Sequence, residues 1–231
     1  MADQHTLGRV PTAFHAQIND VLLTALALAV TEWRPRPDGV LIGLEGHGRE
    51  EVVKADLSRT VGWFTTSHPV RLDPGATDPG TALKQVKEQL RAIPDNGIGY
   101  GLLRHLNPQT SPVLARYAEP QIGFNYLGRI GTADDTSEAS TVEPADAGMA
   151  LSHAVSVNAT TVTFPDGPRL VADWTWASFL TAEDVHALAE GWFRALESLV
   201  SAGGGLTPSD LLVSLSQDDI DELEAEWQTL Q

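Results

Sequence analysis

The 231-residue chain contains no cysteine. That absence excludes disulfides, thiolate catalysis, zinc–thiolate sites and iron–sulfur clusters. Basic residues are few: 15 Lys and Arg stand against 31 Asp and Glu, a formal net charge of −16. A nucleic-acid binder neutralises phosphates with Lys and Arg, so this balance argues against one, and equally against a surface held by anionic lipid. The charge names no partner of its own, since negative net charge serves solubility in general. Long hydrophobic runs are also lacking. The longest mainly apolar stretch, Val21 to Val30, is too short to span a bilayer. Met1-Ala2-Asp3-Gln4-His5 has neither the basic nor the apolar region of a signal peptide. The expectation is a soluble, cytoplasmic protein.

Several catalytic motifs are missing too. No serine sits in a G-x-S-x-G elbow, which leaves a triad hydrolase without support. The histidines at 5, 15, 47, 68, 105, 153 and 186 show no metal spacing such as H-E-x-x-H. Pro94 to Gly101 is glycine-rich, but it lacks the lysine and hydroxyl of a P-loop, and no βαβ dinucleotide pattern surrounds it. It reads as a structural turn.

What is present is enough for a core: 42% of the residues are hydrophobic. Thr12 to Glu32 reads as one helix, opened at Pro11-Thr12, closed before Pro35 and Pro37, and buried all round from Val21 to Val30. Val40 to Leu44 is a short apolar strand suited to the middle of a sheet. Thr60 to Leu72 reads as extended. Asp78-Pro79 opens a helix that Leu83, Val86, Leu90 and Ile93 carry to about Ile93. Short helices are expected at Leu102–Leu106 and Val113–Tyr117, and a strand at Gln121–Leu127.

Residues 131 to 150 are polar and acidic and read as a surface loop. Leu151–Phe164 and Arg169–Trp176 form a hairpin around Pro165-Asp166-Gly167. Thr181 and Asp184 open the last long helix in capping-box fashion, with Val185, Leu188, Trp192, Leu196 and Leu199 on one stripe. Gly203-Gly204-Gly205 reads as a flexible break. The acidic stretch from Gln217 to Trp227 reads as a solvated face, either a short surface helix or loose chain. Alternating helices and strands make the class α/β, a mixed sheet with parallel and antiparallel pairs, covered by helices.

Glu45-Gly46-His47-Gly48-Arg49-Glu50 is the densest cluster of functional groups. It follows a buried strand, where site residues of α/β sheets often lie. Partial burial at the strand end would make Glu45 a usable acid or base, and Arg49 can orient that carboxylate or hold a substrate oxygen. The same residues also read as an ordinary polar turn with a salt bridge. Further on, Phe124-Asn125-Tyr126-Leu127-Gly128 offers Asn125 and Tyr126 as donors to a carbonyl or enolate oxygen, or simply a half-buried strand end. His153, beside an alternating strand, reads as a packed histidine.

Together these segments resemble the C-terminal half of an epimerization domain of nonribosomal peptide synthetases, a relative of the condensation domains. The likeness runs from about Val10 to Glu222. Asp20-Val21-Leu22-Leu23-Thr24-Ala25 matches the family's D-x-L-L-x-A helix. Glu45 to Glu50 is its E-G-H-G-R-E motif. Arg59 to Thr65 matches R-T-V-G-W-F-T, Pro94 to Gly101 resembles its glycine–tyrosine loop, and Phe124 to Gly128 is F-N-Y-L-G. The E-G-H-G-R-E and F-N-Y-L-G forms favour epimerization over condensation. One departure stands out. The family's N-terminal half carries H-H-x-x-x-D-G, whose second histidine is an acid/base, and no His-His pair occurs in this sequence.

The resemblance implies one lobe of a V-shaped, chloramphenicol acetyltransferase-like fold, with the active site in a tunnel between two lobes. Residues 1–202 would form the C-terminal lobe and 203–231 a linker and acidic tail. A fragment, a short gene product and one piece of a split enzyme all fit. The implied activity is inversion of the α-carbon of an aminoacyl or peptidyl thioester on a phosphopantetheine arm. The implied site has Glu45 as acid/base, Arg49 supporting it, and Asn125 and Tyr126 near the reacting centre. Gly46, His47, Trp63, Phe64 and Tyr100 would line the substrate tunnel. No metal or redox cofactor is implied, because the phosphopantetheine belongs to the carrier protein. The implied partners are that carrier protein and a missing N-terminal lobe or neighbouring synthetase domains. Two alternatives remain: a catalytically silent module that binds a carrier protein or partner domain, and part of a condensation domain.

Overall fold

The computed structural model describes residues 4–35, 37–50, 52, 56–57, 59–75, 78–132 and 150–229. Strands β1 (Val40–Gly46), β2 (Thr66–Leu72), β3 (Ile122–Thr132), β4 (Val155–Phe164) and β5 (Gly167–Trp176) form one sheet in the order β2-β1-β3-β4-β5. The pairs β1–β3 and β3–β4 are parallel, while β1–β2 and β4–β5 are antiparallel. The sheet is therefore mixed, and β1 lies inside it as its apolar run predicts.

Side chains alternate between the two faces of a strand. Val40, Ile42 and Leu44 of β1, Val70 and Leu72 of β2, Ile122 and Phe124 of β3, and Val155 and Val157 of β4 are all buried on one face. They share a single core with α2 (Ile18–Trp33), α3 (Pro79–Arg91) and α5 (Ala182–Val200). Trp192 of α5 is fully buried, and its indole N–H donates to the Leu22 carbonyl at 3.0 Å. Its ring meets Phe124 and Trp174 edge-on, with centroids 6.3 and 5.8 Å away. A large aromatic whose one polar group is satisfied ties the two long helices to the sheet.

The helix expected over Thr12–Glu32 is two helices, α1 (Gln4–Ala13) and α2. His15, at φ 49°, breaks the chain between them. Asp20 then starts α2 by accepting the Gln17 N–H at 2.7 Å. Arg91, at the end of α3, holds the same carboxylate with both terminal nitrogens at 3.1 and 2.7 Å. Asp20 is 1% exposed, so its charge is matched where water cannot reach it.

Other boundaries move. The extended run from Thr60 joins the sheet only at Thr66. Leu102–Leu106 winds as a π-helix, and the next short helix, α4, spans Ser111–Leu114 instead of Val113–Tyr117. β3 continues past Leu127 to Thr132, through a bulge between Tyr126 and Arg129. The hairpin of β4 and β5 forms, with β4 starting at Val155 instead of Leu151 and β5 already at Gly167, and the Thr181 cap forms as expected, its Oγ1 accepting the Asp184 N–H at 3.1 Å. Most of the expected acidic loop, residues 133–149, lies outside the described residues.

The glycine triplet is anchored: the Gly205 N–H donates to the Ala13 carbonyl at 3.0 Å. Beyond it, α6 (Gln217–Thr229) is tied to α3 by side-chain bonds. Lys84 bonds Asp221 at 2.7 Å and Glu224 at 3.1 Å. Lys87 is 1% exposed and donates to the Phe14 carbonyl at 2.9 Å and to Asp210 at 2.5 Å. The acidic stretch is thus not wholly a solvated face: Asp221 and Glu224 pair with Lys84 of α3, and Asp210 before them pairs with Lys87. Among the described residues no helix is long and apolar enough to cross a membrane.

Candidate functional site

The second face of the sheet is polar. Register places Ser67, Glu45, Asn125, Asn158 and Asp173 in one row across all five strands. Glu45 and Ser67 are exposed and the other three half-buried. The strand alternation that sends Leu44 and Phe124 into the core sends the next residues, Glu45 and Asn125, to this face. They meet there: Asn125 Nδ2 donates to Glu45 Oε2 at 3.0 Å. Partial burial was expected of Glu45, but its side chain stands in solvent, because nothing among the described residues covers the end of β1.

Tyr126 does not join them. One residue on, it faces the core side, where its hydroxyl shares a 2.8 Å hydrogen bond with Thr161. Arg49 does not support Glu45 either. Its guanidinium donates to the carbonyls of Leu57 at 2.9 Å and Thr60 at 2.8 Å, and lies 4.6 Å over the Phe64 ring. Its role is to staple the Gly46–Glu50 loop to the segment before β2. Within that loop His47 Nδ1 accepts the Arg49 N–H at 2.9 Å. Gly48 has φ 65°, and a Cβ there would lie 1.6 Å from the Phe64 carbonyl oxygen, so no other residue fits.

The residues expected along a substrate tunnel fall at the end of β1, in the segment before β2 and just before the π-helix. Gly46 ends β1, and a Cβ there would sit 3.2 Å from Thr66 Oγ1. Trp63 is 92% exposed. Phe64 lies under Arg49, and Tyr100 is half-buried just before the π-helix. His47 is exposed, with Nε2 3.5 Å from Glu50. His153 is packed as expected: its Nδ1 is 2.9 Å from the Pro120 carbonyl and its ring lies against Gly43 and Gly123.

Two residues near the site were not singled out from the sequence. His68 of β2 pairs with Leu44 and faces the core, 5% exposed. Burial lowers its pKa from the ordinary 6.5, and nearby Glu50 only partly opposes that. Asn96 lies in the turn after α3, and its side-chain amide donates to Glu50 at 2.8 Å. The alternation Ser67-His68-Pro69-Val70 marks His68 as inward-facing, but only the fold brings Asn96 to Glu50. Among the described residues there is no group of three or more His, Asp or Glu suited to a metal ion.

The condensation domain family matches residues 2–173. The chain belongs to the condensation-domain family. The chondramide synthase of Chondromyces crocatus is 41% identical over 236 residues, covering 96% of this chain and 6% of that protein. This condensation-family chain thus spans a small part of the synthetases it matches. The solved epimerization domain from the third module of tyrocidine synthetase B is similar at TM-score 0.68 and 34% identity, over 86% of this chain and 45% of that one. The first condensation domain of the CDA synthetase shares the fold at TM-score 0.54 and 18% identity, over 87% of this chain and 43% of that one. The five-stranded mixed sheet with its helices is accordingly one lobe of the chloramphenicol acetyltransferase-like fold, in a chain similar to the C-terminal half of an epimerization domain.

Proposed function

We propose that this chain supplies one half of an epimerization site, which inverts the α-carbon of an aminoacyl or peptidyl thioester carried on a phosphopantetheine arm. The reading rests on the Glu45–Asn125 pair, in a chain 34% identical to an epimerization domain over 86% of its length. A thioester carbonyl acidifies the α C–H. The Glu45 carboxylate takes that proton, and the electron pair of the C–H bond moves into an enolate with its charge on the thioester oxygen. Asn125 has two amide hydrogens; one goes to Glu45 and the second can donate to that oxygen. A proton returned to the opposite face of the carbon completes the inversion, and microscopic reversibility lets Glu45 serve as acid in the reverse direction. The second acid belongs to the other half of the family's domain, which carries H-H-x-x-x-D-G. The phosphopantetheine arrives with the carrier protein as part of the substrate.

The test mixes this chain, a separately supplied N-terminal half and an aminoacyl carrier protein, followed by chiral analysis of the released amino acid. The expected result is L-to-D conversion only when both halves are present. No change of configuration with both halves refutes the reading.

A second reading, a catalytically silent module that binds a carrier protein or partner domain, draws on the exposed Leu102, Leu106, Val113 and Tyr117. Carrier binding without any change of configuration would favour it. Amide-bond formation between two carrier-bound substrates would instead favour a condensation role.

A further inference from the structure

Three successive residues in the turn after α3 are left-handed: Asp95 at φ 47°, Asn96 at φ 50° and Gly97 at φ 76°. Two of them carry a Cβ, and side chains in this region are strained unless their surroundings hold them. Contacts to β2 and to the loop after β1 hold this turn. Gly97 sits on the buried His68 ring so closely that a Cβ there would lie 2.3 Å from the imidazole Cγ. Asn96 reaches across and donates through Nδ2 to Glu50 Oε2 at 2.8 Å.

Both contacts end beside Glu45. His68 is paired with Leu44, and the next pair along the two strands is Glu45 with Ser67. Glu50 closes the loop that follows Glu45. The intervening residues are pinned to their own downstream segment by Arg49 on Leu57 and Thr60 and by Gly48 against Phe64. The Asn96–Glu50 bond links the loop to the turn after α3.

We propose that Asn96 is a positioning residue: from its left-handed turn it fixes Glu50, and through the Gly46–Glu50 loop it fixes the direction of the Glu45 carboxylate. This rests on the epimerization reading for its effect on turnover, but not for its effect on the loop. The Asn preference of the left-handed region explains the residue type, since Asn tolerates the backbone and still offers a donor.

The deciding variant is Asn96→Gly. Glycine adopts the left-handed backbone without strain, so folding is kept while the donor is lost. In the chain alone, hydrogen exchange of residues 45–50 should quicken about 10-fold, with α2 and α5 as protected as before. In the two-lobed assembly, the turnover number for α-proton exchange should fall about 10-fold with an unchanged KM for the aminoacyl carrier protein. Glu50→Ala should do the same, and the double variant should do no worse than either single one. Glu50→Gln keeps a carbonyl acceptor and should retain near-normal turnover. Unchanged exchange of residues 45–50 in Asn96→Gly overturns the proposal. So does full turnover in that variant, additive losses in the double variant, or a Glu50→Gln as impaired as Glu50→Ala. If the wild-type assembly shows no α-proton exchange at all, the epimerization reading fails, while the loop measurement still decides the role of Asn96.

Discussion

Asn125 and Glu45 meet at 3.0 Å across the parallel strands β3 and β1, on the polar face of the sheet. The pair joins a carboxylate that can accept a proton to an amide with a second hydrogen to give. Asn125→Ala should lower α-proton exchange in the two-lobed assembly by about 10²–10³-fold, the usual loss for one donor to a developing oxyanion. A loss below about 3-fold would show that Asn125 holds Glu45 without touching the reacting group.

Tyr126, its neighbour in sequence, serves the other face. Tyr126→Phe removes a hydroxyl bonded to Thr161, which is 2% exposed. Chemical denaturation should register a loss of about 1 kcal/mol, the usual net worth of such a bond. No change in stability would mean that the hydroxyl is not held by Thr161.

Much of this arrangement is legible in the sequence. The apolar run Val40–Leu44 and the capping pair Thr181–Asp184 each locate an element. The motif residues Glu45 and Asn125 do come together. The apolar run of α2 hides its own start, because the cap that begins it, Asp20, is a buried charge whose partner lies on α3. The glycine triplet reads as flexible because its anchor, the Ala13 carbonyl, is contributed from the far end of the chain. Arg49 reads as a partner for Glu45 by proximity in sequence, but the backbone carbonyls of Leu57 and Thr60 capture its guanidinium instead.

The tail should be integral to the stability of the lobe. Burial disfavours the Asp210 carboxylate, yet the hydrogen bonds from Lys87 and Thr207 outweigh burial and hold its pKa below the usual 3.8. Asp210→Ala leaves the Lys87 ammonium buried without its counter-charge and should cost about 3–5 kcal/mol in equilibrium denaturation. Lys87→Met combined with Asp210→Ala should be more stable than Asp210→Ala alone. A single-variant cost under about 1 kcal/mol would mean that the pair behaves like a surface salt bridge.

Stability should also depend on pH through His68. Its folded pKa lies below 6.5, so as pH falls the unfolded chain takes up the proton first. The neutral ring's contribution is therefore complete above pH 6.5 and is lost as pH falls from there through the lowered folded value. Between about pH 7 and pH 5 the melting temperature of the wild type should drop more steeply than that of His68→Leu. Parallel curves for the two proteins would exclude His68 as the cause.

The most direct measurement is α-proton exchange in deuterated water, with an aminoacyl carrier protein as substrate and the N-terminal half supplied. Wild-type chain should wash deuterium into the α-position, and Glu45→Gln should slow that exchange by about 10²–10⁴-fold while melting at the wild-type temperature. Exchange at the wild-type rate in Glu45→Gln would contradict the account, because it would take the proton-transfer role away from Glu45.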